Sequence, residues 1–351
     1  MIVGGPPRAR HGVLGWGVAI GIVPTRSRAR AHIRDVWHSL PPPHVTPIPT
    51  PIPTPSPRSY AVGGTSVRAL RSVERLRPDN EQWEAVAPMS CERCCPAASN
   101  DGRGGIVVSG GADAIYRHAN VFATCELYCA SDGPPALLPS ACEAAAEGSA
   151  ADAGEDAADA DVVGAYTACD DCGAADDGAV VRPWRAFPPM TTPRCAHSLS
   201  RSAGGVMYAT GGYGGGVSYL DSIECIDLHV PERGWRTVHT LPQPRAFAAT
   251  CFGPDHCLYV VGGSDNGSGN FASCLKIDPR SGHTHALAPM AARRHAFAGA
   301  FAPDGQLYVA GGFEWIGMLT SAECYDPRAD RWRDLPPLGA CMELCTGAVS
   351  W

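Results

Sequence analysis

Lysine is almost missing from this chain. Of 28 basic side chains, Lys276 is the one lysine and the rest are arginine. Long apolar runs are missing too: no stretch reaches the roughly 18 residues that a helical membrane span needs. HExxH, GxSxG and the phosphate-binding GxxxxGK[ST] are absent, which removes the zinc-hydrolase, serine-hydrolase and nucleotide-hydrolase chemistries those spacings serve. No pair of acids sits with a plausible base. A net charge of −7 without a basic, aromatic-studded stripe argues against nucleic-acid binding.

Charge is unevenly spread. Residues 130–181 hold 12 acidic side chains and no lysine or arginine, which leaves 23 acids against 28 bases in the remainder. The body of the chain is therefore mildly basic, and one Ala-, Asp-, Glu- and Gly-rich segment is strongly acidic, a composition typical of disorder. Alanine, glycine, proline and arginine are all plentiful, so a single Gly or Arg carries little weight and only recurrence at fixed spacing counts.

At the start, Arg8 and Arg10 precede an apolar stretch, 12–23, and no acid appears before Asp35. That is the outline of a transit or signal peptide; four glycines in the stretch and the opening MIVGG argue against it. Without a convincing leader, 16 cysteines are expected to be reduced thiols in the cytoplasm.

What is present is a repeat. Double glycines end YAVGG at Gly64, IVVSGG at Gly111, MYATGG at Gly212, LYVVGG at Gly263 and LYVAGG at Gly312, spaced by 47, 101, 51 and 49 residues. The long interval is one unit carrying an insertion: Trp184 follows Tyr128 by 56 residues, whereas Trp332 follows Tyr325 by seven. Arg93, Arg194, Arg245 and Arg294 each lie four residues after the Met or Leu that closes a unit and 17 before the next double glycine. Short apolar runs ending in glycine, with Asp-Gly turns between strand-like segments, indicate four-stranded blades repeated about every 50 residues.

The combination of LYVAGG, the AECYDP stretch (322–327), the WRDLPP stretch (332–337) and the following arginine resembles the kelch repeat, over roughly residues 58–351. The resemblance implies an all-β kelch-type β-propeller. Counting MIVGG as a further double glycine, with 35–43 as the end of its unit, gives six four-stranded blades. The last stretch, 341–351, is expected to pair into the first blade and close the ring. The expected organisation is a partial first blade in 1–43, a proline-rich linker in 44–58, and the propeller in 59–351, interrupted by the acidic segment 129–182. Six prolines in 47–58 cannot form an inner strand before YAVGG, so that blade is expected to lack a regular first strand.

Kelch propellers commonly present loops to a protein partner, and the resemblance implies a non-catalytic interaction module. The partner would be a short peptide, acidic in one version; the settings implied are substrate reception for a cullin-type ubiquitin ligase, or actin and scaffold binding. Candidate contacts are Arg93, Arg194, Arg245 and Arg294, together with Tyr116, Tyr213, Asn270 and Trp315 from loops that differ between units. The arginines have an alternative role, holding each blade together through carboxylates. The loop residues have one too, packing on the next blade. No cofactor is implied. Some kelch propellers are metal-dependent enzymes, but the E-x-x-x-D-x-x-x-H string of the iron-binding specifier proteins is absent, and the Tyr, His and Cys set of the copper oxidases cannot be placed. Two CxxC pairs, Cys91 with Cys94 and Cys169 with Cys172, leave zinc open if Cys129 and Cys142 join the second pair. Cys225 and Cys324, like Cys125 and Cys274, share strand positions and read as small core residues.

Overall fold

Each double glycine ends the second strand of a four-stranded antiparallel sheet. The computed structural model describes residues 16–20, 59–65, 69–76, 82–114, 119–129, 183–216, 218–265, 269–314 and 317–339, with backbone only for 16–20, 59, 64 and 65. Blade 1 comprises β1 (Trp16–Ile20), β2 (Ser59–Thr65), β3 (Val73–Leu76) and β4 (Trp83–Val86). Blade 2 comprises β5 (Ala97–Asn100), β6 (Ile106–Ser109), β7 (Cys125–Tyr128) and β8 (Trp184–Phe187). Blade 3 has β9 (Ser198–Arg201), β10 (Val206–Thr210), β11 (Ser222–Asp227) and β12 (Arg236–Thr240). Blade 4 has β13 (Ala249–Phe252), β14 (Leu258–Val261), β15 (Cys274–Ile277) and β16 (Thr284–Leu287). In blade 5, β17 (Ala298–Phe301) and β18 (Leu307–Ala310) are followed by a small hairpin, β19 (Phe313–Glu314) with β20 (Gly317–Met318), and then by β21 (Ala322–Asp326) and β22 (Arg331–Leu335). Strands pair in chain order within every blade, and the first strands β1, β5, β9, β13 and β17 lie side by side in that order.

The expected six blades are five among the described residues. The first strand of the YAVGG blade, expected to be missing, comes from upstream: β1 pairs antiparallel with β2, Ile20 opposite Tyr60. The apolar stretch with a leader's outline thus supplies a strand. The physical reason is that a blade needs an inner strand with free N–H groups, and the nearby proline-rich residues cannot offer them. The MIVGG start, residues 35–43 and the closing stretch 341–351 lie outside the described residues.

The apolar side chains sort into wedges between neighbouring blades. Tyr60, Val62, Val73 and Met89 meet Ile106, Val108 and Tyr128. Val107, Leu127 and Met190 meet Leu199, Met207 and Ile226. Ile223 and Leu241 meet Leu258, Val260 and Ile277. Tyr259, Val261 and Met290 meet Phe301, Leu307 and Tyr325. The residue that closes each unit, Met89, Met190, Leu241 or Met290, is buried in its wedge, so a chain that turns from one blade to the next is anchored by one large apolar side chain. Polar bonds cross the wedges as well: His197 Nε2 lies 2.8 Å from Ser109 Oγ, and Ser200 Oγ lies 2.6 Å from Thr250 Oγ1.

Candidate functional site

The 17-residue interval is a hydrogen bond. Arg93 Nη1 donates to Gly110 O (2.6 Å), Arg194 Nη1 to Gly211 O (2.8 Å), Arg245 Nη1 to Gly262 O (2.9 Å) and Arg294 Nη1 to Gly311 O (2.8 Å). Each Nη2 also reaches a hydroxyl at the start of the third strand: Thr124, Ser222, Ser273 or Ser321. Three of the four end on a carboxylate, Glu126 (2.8 Å), Glu224 (2.7 Å) and Glu323 (2.7 Å). These glutamates also accept from backbone N–H groups just after the closing methionine: Ser90 to Glu126, Thr191 and Thr192 to Glu224, Ala291 and Ala292 to Glu323. Burial alone would raise the Glu224 carboxyl; the bonds from Arg194 and Thr191 outweigh it and hold it below the ordinary carboxylate range. The four guanidinium groups are at most 2% exposed. They are internal staples rather than partner contacts, and the expectation that they face a partner is corrected on that ground.

The first glycine of each pair is needed for the same junction. At Gly211 φ is +59°, and an added Cβ would stand 2.2 Å from Arg245 O of the next blade; no side chain fits there. Two residues after each arginine the backbone turns with positive φ at Cys95, Ala196, Phe247 and Ala296. Their backbones form a relay from blade to blade: Ala196 N to Cys95 O (2.9 Å), Phe247 N to Ala196 O (2.7 Å) and Ala296 N to Phe247 O (3.0 Å). Strained non-glycine positions of this kind persist only where the surroundings over-determine them.

The tyrosine-to-tryptophan spacing of seven is a cross-strand pair. Tyr325 stands opposite Trp332, and Tyr128 opposite Trp184 despite the insertion between them. Each indole N–H then staples to the preceding blade, two residues before its closing methionine: Trp184 to Ala87 O (2.7 Å), Trp235 to Pro188 O (2.9 Å) and Trp332 to Ala288 O (2.8 Å). The two extra residues before Trp235 are taken up in a 3-10 turn, Pro231–Arg233.

Blade 4 departs from this frame at three places. Leu275 stands where the other blades carry glutamate, Pro242 where an N–H would meet that glutamate, and Thr284 where tryptophan would sit. Among the described residues Arg245 accordingly has no carboxylate within salt-bridge distance; its guanidinium lies over the Phe271 ring at 4.5 Å. Thr284 Oγ1 is bonded to His239 Nε2 at 2.7 Å.

The loops after the double glycines gather at one end. Antiparallel bridges join Cys94 to Ala112, Cys195 to Tyr213, Ala246 to Ser264 and His295 to Phe313, so the residue after each arginine holds the residue after each glycine pair. Tyr213 is half-buried, packs edge-on against Tyr219 at 5.5 Å and donates its hydroxyl to Gly216 O. Asn270 is buried; its Nδ2 donates to Phe313 O at 3.2 Å and its carbonyl accepts from Arg293. It ties the loop of blade 4 to that of blade 5, so its expected place as a partner contact is also corrected. Tyr116 and Trp315 lie outside the described residues. The three glutamates and the indole staples went unrecognised as site elements; the glutamate recurs before Cys-Tyr, Leu-Tyr and Cys-Ile in the sequence, and that was the signal available.

The cysteines behave as core. Cys125 and Cys274 are buried, and burial pushes both thiols up to about 12. Cys225 and Cys324 are buried opposite Tyr208 and Tyr308. Among the described residues no three His, Cys, Asp or Glu side chains come together in a way that could hold a metal ion; Cys142, Cys169 and Cys172 lie outside them. No helix among the described residues is long and apolar enough to cross a membrane.

Repeated four-stranded sheets, inter-blade wedges and a common loop end define a β-propeller built from repeats. The kelch motif matches residues 60–90 and 294–339, and those stretches resemble kelch repeats. Its similarity to Kelch-like protein 40 of Xenopus laevis is 31% identity over 157 residues, which is 43% of this chain and 24% of that protein. Kelch-like protein 40 of Mus musculus is 30% identical over 156 residues, 42% of this chain and 24% of that one. Kelch-like protein 33 of Homo sapiens is 36% identical over 111 residues, 30% and 20% respectively. The matched part spans about a quarter of the length of these relatives.

Proposed function

We propose that the chain is a non-catalytic protein-interaction module of the cytoplasm that binds a short peptide through the loops gathered after its double glycines. One observation carries this reading. The recurring parts, four arginines, the glutamates that hold three of them, and the glycine pairs, are turned inward, whereas the loops they position differ in sequence and sit at one end. The loop of blade 2 is closed by Asp113 and Asn120, that of blade 3 by Gly214 and Ser218, and that of blade 4 by Asp265 and Gly269. A rigid frame with divergent loops is how one fold serves different partners.

The resemblance to kelch proteins suggests two settings, substrate reception for a cullin-type ubiquitin ligase and binding of actin or a scaffold. Actin co-sedimentation and pull-down by a purified cullin separate them. The loop reading itself is tested with a peptide selected on the purified chain by display. Exchange of residues 213–219 for a Gly-Ser segment of equal length is expected to weaken binding by at least tenfold at an unchanged melting temperature. Equal affinity after exchange of every loop in turn removes the proposal.

A further inference from the structure

Blade 4 combines Ile277 and Thr284 where blades 2 and 5 carry a tyrosine–tryptophan pair. Beside Thr284, between blades 3 and 4, the structure has a cavity of about 390 Å³. Its wall includes His239, the hydrogen-bond partner of Thr284, and Ile277, the cross-strand partner of Thr284. Ile223, Leu258 and Ile277 are buried and make an aliphatic floor; Arg236 and Arg280 line the mouth and are exposed. Among the described residues neither arginine has a carboxylate within salt-bridge distance.

We propose that this cavity is a docking site for an aromatic side chain of a partner peptide that carries a carboxylate next to the aromatic residue. Three observations converge. At the neighbouring wedges the corresponding space takes an indole from the chain itself, with its N–H bonded across the blades; here that indole is missing. The volume falls in the range of about 300–1,000 Å³ typical of ligand pockets, and an aliphatic floor suits an aromatic ring. Two arginines at the mouth, neither within salt-bridge distance of a carboxylate among the described residues, complement a carboxylate, with the fork geometry that such recognition uses. The site lies on the flank between blades, separate from the loop end, so it stands or falls independently of the loop reading.

The test uses the full chain with isoleucine methyls labelled and N-acetyl-Trp-Glu-amide as probe. Saturable shifts of the Ile223 and Ile277 methyls are expected, with at least fivefold weaker binding for N-acetyl-Trp-Gln-amide. Thr284→Trp, which places the missing indole in the wedge, is expected to abolish the shifts. Arg236→Glu with Arg280→Glu, both on the surface, is expected to weaken the probe at least fivefold without moving the melting temperature, and decides the matter if Thr284→Trp fails to fold. No methyl shift at millimolar probe overturns the proposal. So does a shift that persists in Thr284→Trp, or one indifferent to the double charge reversal. Exchange of the loop 213–219 is expected to leave this probe's affinity unchanged.

Discussion

A buried arginine is worth most to a fold when removing it strands another charge. Arg194→Leu leaves Glu224 buried without its cation, and such a break costs about 3–5 kcal/mol. Arg245→Leu strands no carboxylate, because Leu275 already replaces the glutamate and Pro242 already removes the N–H that it would have met. It forfeits bonds to Gly262 O and Ser273 and the face of Phe271, while also relieving an unpaired buried charge. The expected order in chemical denaturation is therefore Arg194→Leu well below Arg245→Leu in midpoint, and equal midpoints would contradict the staple account. His197 gives a pH prediction at the same scale. Burial, then the neighbouring Arg194 charge, hold its pKa at about 3 against an ordinary 6.5. The unfolded chain binds this proton below pH 6.5 and the folded chain does not, so stability is fully present above 6.5 and declines as pH falls from there toward 3, at up to about 1.4 kcal/mol per pH unit. Thermal melts of His197→Asn are expected to show a flatter decline than the parent over that window. The arginine spacing was legible in the sequence because a fixed interval survives compositional noise. The direction of the side chain was not, since an interval of 17 fits a staple and a clamp equally. Only the joint loss of Glu and N–H at Leu275 and Pro242 tips the balance, and that requires knowing which positions touch.

At the scale of the hairpin, the fourth strand does two things: it pairs with its own third strand and it stitches to the preceding blade. Trp235→Phe keeps most of the apolar area buried in the wedge between blades 2 and 3 but loses the indole bond to Pro188 O. A loss of about 1–2 kcal/mol is expected, the ordinary worth of one such bond plus imperfect refilling. Trp235→Ala is expected to lose about 3–5 kcal/mol. If urea unfolding gives the two substitutions the same midpoint, the hydrogen bond outweighs the buried area. Blades 2 to 5 were legible as elements because apolar runs ending in double glycine recur. The first strand of blade 1 was not. A propeller strand needs only four or five residues, and WGVAI carries no glycine pair or tryptophan register to mark it as belonging to a sheet 40 residues away. Long-range pairing of that kind leaves no local trace.

At the scale of the whole molecule, the acidic segment is hung on a frame that closes without it. Tyr128 is paired with Trp184 at a centroid distance of 5.0 Å, and Cys129 N donates to Pro183 O at 2.7 Å. The chain leaves and returns at adjacent residues, so an Asn-Gly pair can join 130 to 182 as a short hairpin turn. Shortening the loop lowers the entropy of closing it, and the melting temperature of the shortened chain is expected to be equal to or slightly above that of the parent; a large fall would mean that 131–181 belongs to the folded core. The same deletion removes 12 of the 35 acids and none of the 28 bases, so the net charge of −7 changes sign to +5. An acidic peptide approaching the loop end then meets a positive rather than a negative molecule. Its association rate with the shortened chain is expected to exceed that with the parent at about 50 mM salt, and the two rates are expected to converge near 0.5 M, where the screening length falls to roughly 4 Å. Identical rates at low salt would place the bound peptide's charge out of reach of the acidic segment. A slower rate for the shortened chain would make the segment itself part of the binding surface.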